Sequence, residues 1–106
     1  MEPLIIVEVT CPDAGVAEEV ARGCVEEGLV ACANILPGVT SVFRWDGAVQ
    51  AEAEVILLMK TRAARFEAVR AAVAARHPYE VPAILALPVA EACPAFADWV
   101  RAETGG

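Results

Sequence analysis

The only histidine of this chain lies in His77-Pro78-Tyr79-Glu80-Val81-Pro82, where an imidazole, a phenol, a carboxylate and two prolines crowd together. An imidazole can move a proton near neutrality or bind a borderline metal. Far upstream, Cys32 offers a thiol, and a thiolate with an imidazole suits Cu(I), Cu(II) or Zn(II) better than Mg(II). Two donors do not make a tight site, so a third is required from Cys11, Glu80 or a neighbouring chain. Each residue also has a purely structural reading. His77 can close a helix, bond a carbonyl and pack on Tyr79; Cys32, between Ala31 and Ala33, can be a core thiol. Tyr79 reads as an anchor in an interface or a cleft wall. Glu52, Glu54 and Lys60 can line a polar cleft or form ion pairs between subunits. Trp45 stands where a strand pair turns, as a binding platform or as an aromatic buried against another copy.

Hydrolytic or transfer chemistry has little to work with. The chain has no G-x-S-x-G elbow, P-loop, H-E-x-x-H or glycine-rich dinucleotide turn, and Ser41 is its only serine. A nucleophilic pair of Cys32 and His77 with Asn34 as orienting amide can be drawn, but nothing shows activation. The expectation is a protein without catalysis.

The elements that must position these groups follow from patterning. Leu4 to Thr10 is a β-branched run dense enough for a central strand. Asp13 is placed to cap a helix in which Ala17, Val20, Ala21 and Cys24 share one face, and Gly28 stops it. A second strand runs from Ala31 to Ile35 and resumes from Val39 to Trp45. Pro37-Gly38 between them calls for a bend, a bulge or an edge position. Asp46-Gly47 is a hairpin turn. From Ala48 to Lys60 the alternation puts Ala53, Val55, Leu57 and Met59 on an apolar side, and Glu52, Glu54, Ile56, Leu58 and Lys60 on the other. Thr61 is a candidate cap for a second helix with Phe66, Val69 and Val73 in its stripe. A fourth strand spans Ala83 to Val89, and a terminal helix from Cys93 to Ala102 is expected to turn Phe96, Trp99 and Val100 inward.

The order β-α-β-β-α-β plus a helix is the α+β, ferredoxin-like split arrangement, one domain over residues 1–106: a four-stranded antiparallel sheet with two helices on one face. One short terminal helix cannot cover the other face, so a homo-oligomer is expected. The hydrophobic fraction of 58 % in 106 residues fits an apolar surface shared between copies. The net charge of −7 argues against nucleic acid or anionic lipid as partners, since both would meet repulsion. Arg62, Arg65, Arg70 and Arg76 form the nearest basic stripe, read as a solvated helix face without interleaved aromatics. Cys11, Cys24, Cys32 and Cys93 have no structural-zinc spacing, no signal segment precedes them, and no apolar run is long enough to span a bilayer. A reducing cytoplasm with the cysteines as small buried hydrophobes is the expectation.

Several blocks of the chain then resemble one family. They are Val30-Ala31-Cys32-Ala33-Asn34-Ile35-Leu36-Pro37-Gly38-Val39-Thr40-Ser41, Arg44-Trp45-Asp46-Gly47, Glu52-Ala53-Glu54-Val55, Lys60-Thr61 and His77-Pro78-Tyr79-Glu80-Val81-Pro82. In this order, between Thr10-Cys11-Pro12-Asp13 and Trp99, they resemble the CutA divalent-cation tolerance family. The resemblance implies a cytoplasmic homotrimer whose sheets face the three-fold axis, whose second and third strands reach neighbouring subunits, and whose architecture is similar to the PII signalling proteins. It implies tolerance to copper or another divalent cation, with copper held by Cys32 and His77 near an intersubunit cleft. It equally accommodates a PII-like signalling or scaffold trimer that binds a small ligand or a protein in clefts lined by Trp45, Lys60, Tyr79 and Glu80. Two positions depart from the family pattern: Val9 stands where some members carry a cysteine, with Cys11 two residues on, and Ala83 replaces a common glutamate.

Overall fold

The computed structural model describes residues 2–105. Its elements are β1 (Leu4–Cys11), α1 (Ala14–Glu26), β2 (Cys32–Trp45), β3 (Ala48–Arg62), α2 (Phe66–Arg76), β4 (Ile84–Pro88) and α3 (Pro94–Thr104). A single 3-10 turn, Ala63–Arg65, leads into α2. The strands form one antiparallel sheet in the order β2-β3-β1-β4, the expected split β-α-β topology with its added terminal helix.

Local chemistry explains the punctuation. Asp13 is extended, and its carboxylate accepts from the Val16 amide at 2.8 Å, satisfying an otherwise orphaned donor of α1. At the tip of the hairpin Asp46 and Gly47 both have positive φ, 53° and 79°, as a tight two-residue turn requires. Pro37-Gly38 shifts the β2–β3 register between Leu36 and Val39 without ending the strand. β2 is an edge strand, which is where a residue lacking its amide hydrogen is tolerated.

The core lies between the sheet and the α1–α2 layer. Val7, Val9 and Cys11 of β1, Val55, Leu57 and Met59 of β3, Val20 and Cys24 of α1, and Val69 and Val73 of α2 are buried in it. Among the described residues the opposite sheet face is covered only at its Leu4 end, by α3. Ile6, Ile56 and Leu58 are half-buried there, Leu36, Leu85 and Leu87 are exposed, and Glu8 is its one central carboxylate, paired in register with Leu58 and Leu85.

Four expectations are corrected. Thr61 does not cap α2: it stays in β3, fully buried, and its hydroxyl donates to the Leu29 carbonyl at 2.7 Å. Arg62 likewise belongs to β3 rather than to a helical basic stripe. Its guanidinium donates to Glu2 at 2.8 Å and to the carbonyl and hydroxyl of Thr104, tying the last turn of α3 to the start of the chain. In α3 the inward face is Ala97, Val100 and Thr104, with Phe96 and Trp99 over two-fifths exposed and stacked on each other at 5.7 Å. The helix covers only the small patch of Leu4 and Ala31, where two rings would not fit. Of the cysteines, Cys11 and Cys24 are buried as expected, whereas Cys32 is half-buried and Cys93 exposed.

Candidate functional site: the cleft beside His77 and Tyr79

α2 ends at His77, which leaves the helical region as the residue before a proline should, at φ −89° and ψ 135°. Its amide still donates to the Val73 carbonyl at 2.9 Å. The ring, 8 % exposed, reaches across to β1. Nε2–H donates to the Thr10 carbonyl at 2.7 Å, while Nδ1 accepts from the Tyr79 amide at 3.1 Å. A carbonyl only accepts and an amide N–H only donates, so this pair of bonds defines the uncharged ring with its proton on Nε2. The helix-closing reading of His77 is the one the geometry realises, down to the packing on Tyr79 with ring centres 4.8 Å apart.

Turned by that contact, Tyr79 lays its hydroxyl on Glu54, donating to Oε2 at 2.7 Å. The bond to Glu54 pushes the phenol up to about 12, with burial and the nearby charges of Glu54, Glu52 and Cys11 adding to it. Because Tyr79 is the chain's only tyrosine, its ionisation can be watched without interference. The phenolate absorbance near 295 nm is expected to titrate with a midpoint close to 12, and to move back toward 10 in Glu54→Gln. A folded-state value above the unfolded one means that the bond's contribution to stability is whole below pH 10 and is lost as pH rises to about 12. A wild-type midpoint at 10 would remove the Tyr79–Glu54 bond from the solution structure.

The hairpin and the loop after α2 enclose a cleft of about 570 Å³ above this pair. Strand alternation supplies one wall: Phe43 and Trp45 from β2, Glu52 and Glu54 from β3. The segment from Pro78 to Ala83, including Tyr79 and Glu80, supplies the other, and Thr10 lies in the lining as well. Trp45, Tyr79 and Glu80 are thus gathered into one site. Lys60 is elsewhere, near the opposite end of β3, with its ammonium on the Asn34 side-chain oxygen. Glu54 is the member whose burial the strand pattern did not reveal; its Tyr79 partner comes from a different element, which spacing along β3 cannot show.

Within one chain Cys32 and His77 stand apart. Cys32 pairs in register with Lys60 and so faces the uncovered side of the sheet. Lys60 in turn faces Ile6, four residues from the Thr10 carbonyl that holds His77, about 13 Å along the strand. The two donor types suit copper, but both ring nitrogens of His77 are engaged, and no group of three His, Cys, Asp or Glu among the described residues is placed to hold a metal. Cys11 does not supply the third donor. It is fully buried on the helix side, and burial, with the charges of Asp13 and Glu54, pushes its thiol up to about 11.

The structure is thus a split β-α-β sandwich with one largely open sheet face and a cleft beside its hairpin. The family model described as CutA1 divalent ion tolerance protein matches residues 5–103. The divalent-cation tolerance protein CutA of Thermus thermophilus is 46 % identical over 100 residues, covering 94 % of this chain and 97 % of that protein. Human protein CutA is 41 % identical over 96 residues; the match takes in 91 % of this chain and 54 % of the human protein. This chain therefore spans about half the length of some curated relatives. The crystal structure of CutA1 from Oryza sativa superimposes with a TM-score of 0.94 at 38 % identity, over 97 % of this chain and 94 % of that one. The chain belongs to the CutA1 divalent ion tolerance family. Its general role is divalent-cation tolerance, a description that names no reaction. No helix among the described residues is long and apolar enough to cross a membrane.

Proposed function

We propose that this protein serves divalent-cation tolerance as a homotrimer in the reducing cytoplasm, holding copper or another borderline divalent metal between Cys32 of one copy and His77 of a neighbour, whose Nδ1 gives up the Tyr79 amide for the metal while Nε2–H keeps the Thr10 carbonyl. The observation that carries the assembly is the uncovered sheet face, where Leu36, Leu85 and Leu87 stand exposed around a half-buried Ile6, Ile56 and Leu58. Such a patch on a small protein calls for a partner surface. Cys32 lies on that face and is accessible, whereas His77 closes the far end of the fold; only a second chain can bring the donors together. Four unpaired cysteines support a reducing compartment.

The test is calorimetric titration of Cu(II), with Cu(I) competition under reducing conditions, on protein whose mass in solution is known from light scattering. Saturable binding near one equivalent per chain, lost in Cys32→Ser and in His77→Gln, is expected. The glutamine keeps an N–H donor for the Thr10 carbonyl, which separates ligation from folding. Unchanged stoichiometry and affinity in both variants would refute the metal site.

A second reading has its own observation. The cleft of about 570 Å³ beside Tyr79 is already formed in one chain and is the size of a small-molecule site. In this reading the trimer is PII-like, a non-catalytic signalling or scaffold protein with a ligand at Trp45, Tyr79 and Glu80.

A further inference from the structure

We propose that Tyr79, pinned by Glu54, is a latch over the one unprotonated nitrogen of His77, and that residues 78–82 must lift before anything binds or reacts there. The proposal deepens the first reading above by naming what regulates its histidine. It rests on that reading only for the consequence at copper, because every part of the latch lies within one chain.

The ring leaves a single place to act. Nε2–H is engaged by the Thr10 carbonyl at 2.7 Å, so the only lone pair in the ring plane belongs to Nδ1. That lone pair accepts the Tyr79 amide at 3.1 Å. A cation or an electrophile at Nδ1 needs the position the amide hydrogen holds, and one lone pair cannot serve both.

The segment that carries this amide is fixed at its two ends. The His77 amide donates to the Val73 carbonyl at 2.9 Å, and the Ala83 carbonyl accepts from the Thr10 amide at 3.3 Å. Between them, residues 78–82 make no backbone–backbone hydrogen bond among the described residues, and Pro78, Glu80 and Val81 are exposed. Pro78 and Pro82 have no amide hydrogen to offer. Tyr79 is the clasp. Its amide lies on Nδ1, its ring on the imidazole with centres 4.8 Å apart, and its hydroxyl donates to Glu54 Oε2 at 2.7 Å. Glu54 is 7 % exposed and belongs to β3, an interior strand, so the clasp closes on the rigid part of the fold.

Glu54 therefore governs His77 without touching it. The carboxylate holds the phenol, the phenol holds the segment, and the segment holds the amide on Nδ1; Glu54 and Tyr79 are positioning residues. The coupling is reciprocal: a firmer clasp weakens binding at Nδ1, and occupation of Nδ1 releases the phenol from Glu54. A hydrogen bond to a charged acceptor is among the stronger kinds, so its loss should open the latch about tenfold more often.

The experiment compares the full chain, free of metal, with Tyr79→Phe and Glu54→Leu. The phenylalanine keeps the ring and the amide and lacks only the hydroxyl. Diethylpyrocarbonate is the probe: Nδ1 attacks a carbonyl carbon, and the bond from that carbon to the departing ethyl carbonate breaks. His77 is the only histidine, and fragment masses locate the adduct on it. Hydrogen exchange at the residue 79 amide is followed on the same samples. Both rates should rise about tenfold in either variant, with exchange at the His77 amide unchanged. Glu54→Gln, whose side-chain carbonyl still accepts the hydroxyl, should fall between these and the wild type.

Unchanged rates in Tyr79→Phe and Glu54→Leu overturn the proposal. Exchange at the His77 amide that rises by the same factor does so too, since the end of α2 would then be fraying as a whole. A His77 that stays unmodified once residue 79 exchanges freely also overturns it, because another surface would be closing the ring. Copper titration of the same variants separates the two readings. Faster rates without copper binding sink the metal site and leave the latch; copper bound with equal affinity by the wild type and Tyr79→Phe refutes the latch as its regulator.

Discussion

Ile56→Asp should convert the proposed trimer into single chains, read by light scattering as a fall from three times 11.1 kDa to 11.1 kDa. Ile56 lies mid-strand on β3, between Leu36 of β2 and Thr10 of β1, on the sheet face away from α1 and α2 and clear of α3 among the described residues. It is half-buried in one chain, so an aspartate there finds water and the monomer tolerates it. In a trimer closed through these faces, three carboxylates would be stripped of solvent at once, at a cost of several kcal/mol each. Added salt should rescue little, because the penalty is desolvation rather than long-range repulsion. An Ile56→Asp protein that remains three chains would place the subunit contacts elsewhere.

The other large effect belongs to the next residue. Leu57 is completely buried, paired in register with Val9 and Ile35 at the centre of the helix-covered face. Leu57→Ala should cost about 2–5 kcal/mol per chain, the transfer term plus the cavity that close-packed neighbours cannot fill. The readout is the urea midpoint at fixed protein concentration, since the proposed assembly would make stability concentration-dependent. Leu58→Ala is the informative companion. In an isolated chain its half-buried side chain should lose much less; a loss rivalling that of Leu57 would show that the open face is buried in solution. Equal, small losses at both positions would contradict the core described here.

What the sequence made legible was whatever depends on near neighbours. Asp13 as a cap, Asp46-Gly47 as a hairpin turn, the Pro37-Gly38 irregularity and the alternation along β3 are decided within a few residues, and the four-stranded topology follows from their order. Thr61 went astray because a threonine before a helix and a threonine ending a strand look alike locally. Its burial is decided by the Leu29 carbonyl, a long way back along the chain. The inward face of α3 failed for a related reason: the aromatic residues have the right period, but the patch beneath accepts only Ala97 and Val100. At the site, the sequence grouped Trp45, Lys60, Tyr79 and Glu80 in a cleft between subunits; the cleft within one chain is lined by three of them, without Lys60. The Tyr79–Glu54 bond and the Arg62 anchor of α3 join elements distant in sequence, and no local signal encodes them.

The irregularity at Pro37-Gly38 also bears on behaviour at high concentration. β2 is long, lies at the sheet edge and is rich in β-branched and aromatic residues, the composition that invites foreign chains to add strand upon strand. The register shift divides that edge into Cys32–Leu36 and Val39–Trp45, and a proline withholds one donor at the break. The residue pair thus interrupts the edge, and it leaves Val39–Trp45, seven residues without proline or glycine, as the one stretch of that edge long enough to pair with a foreign strand.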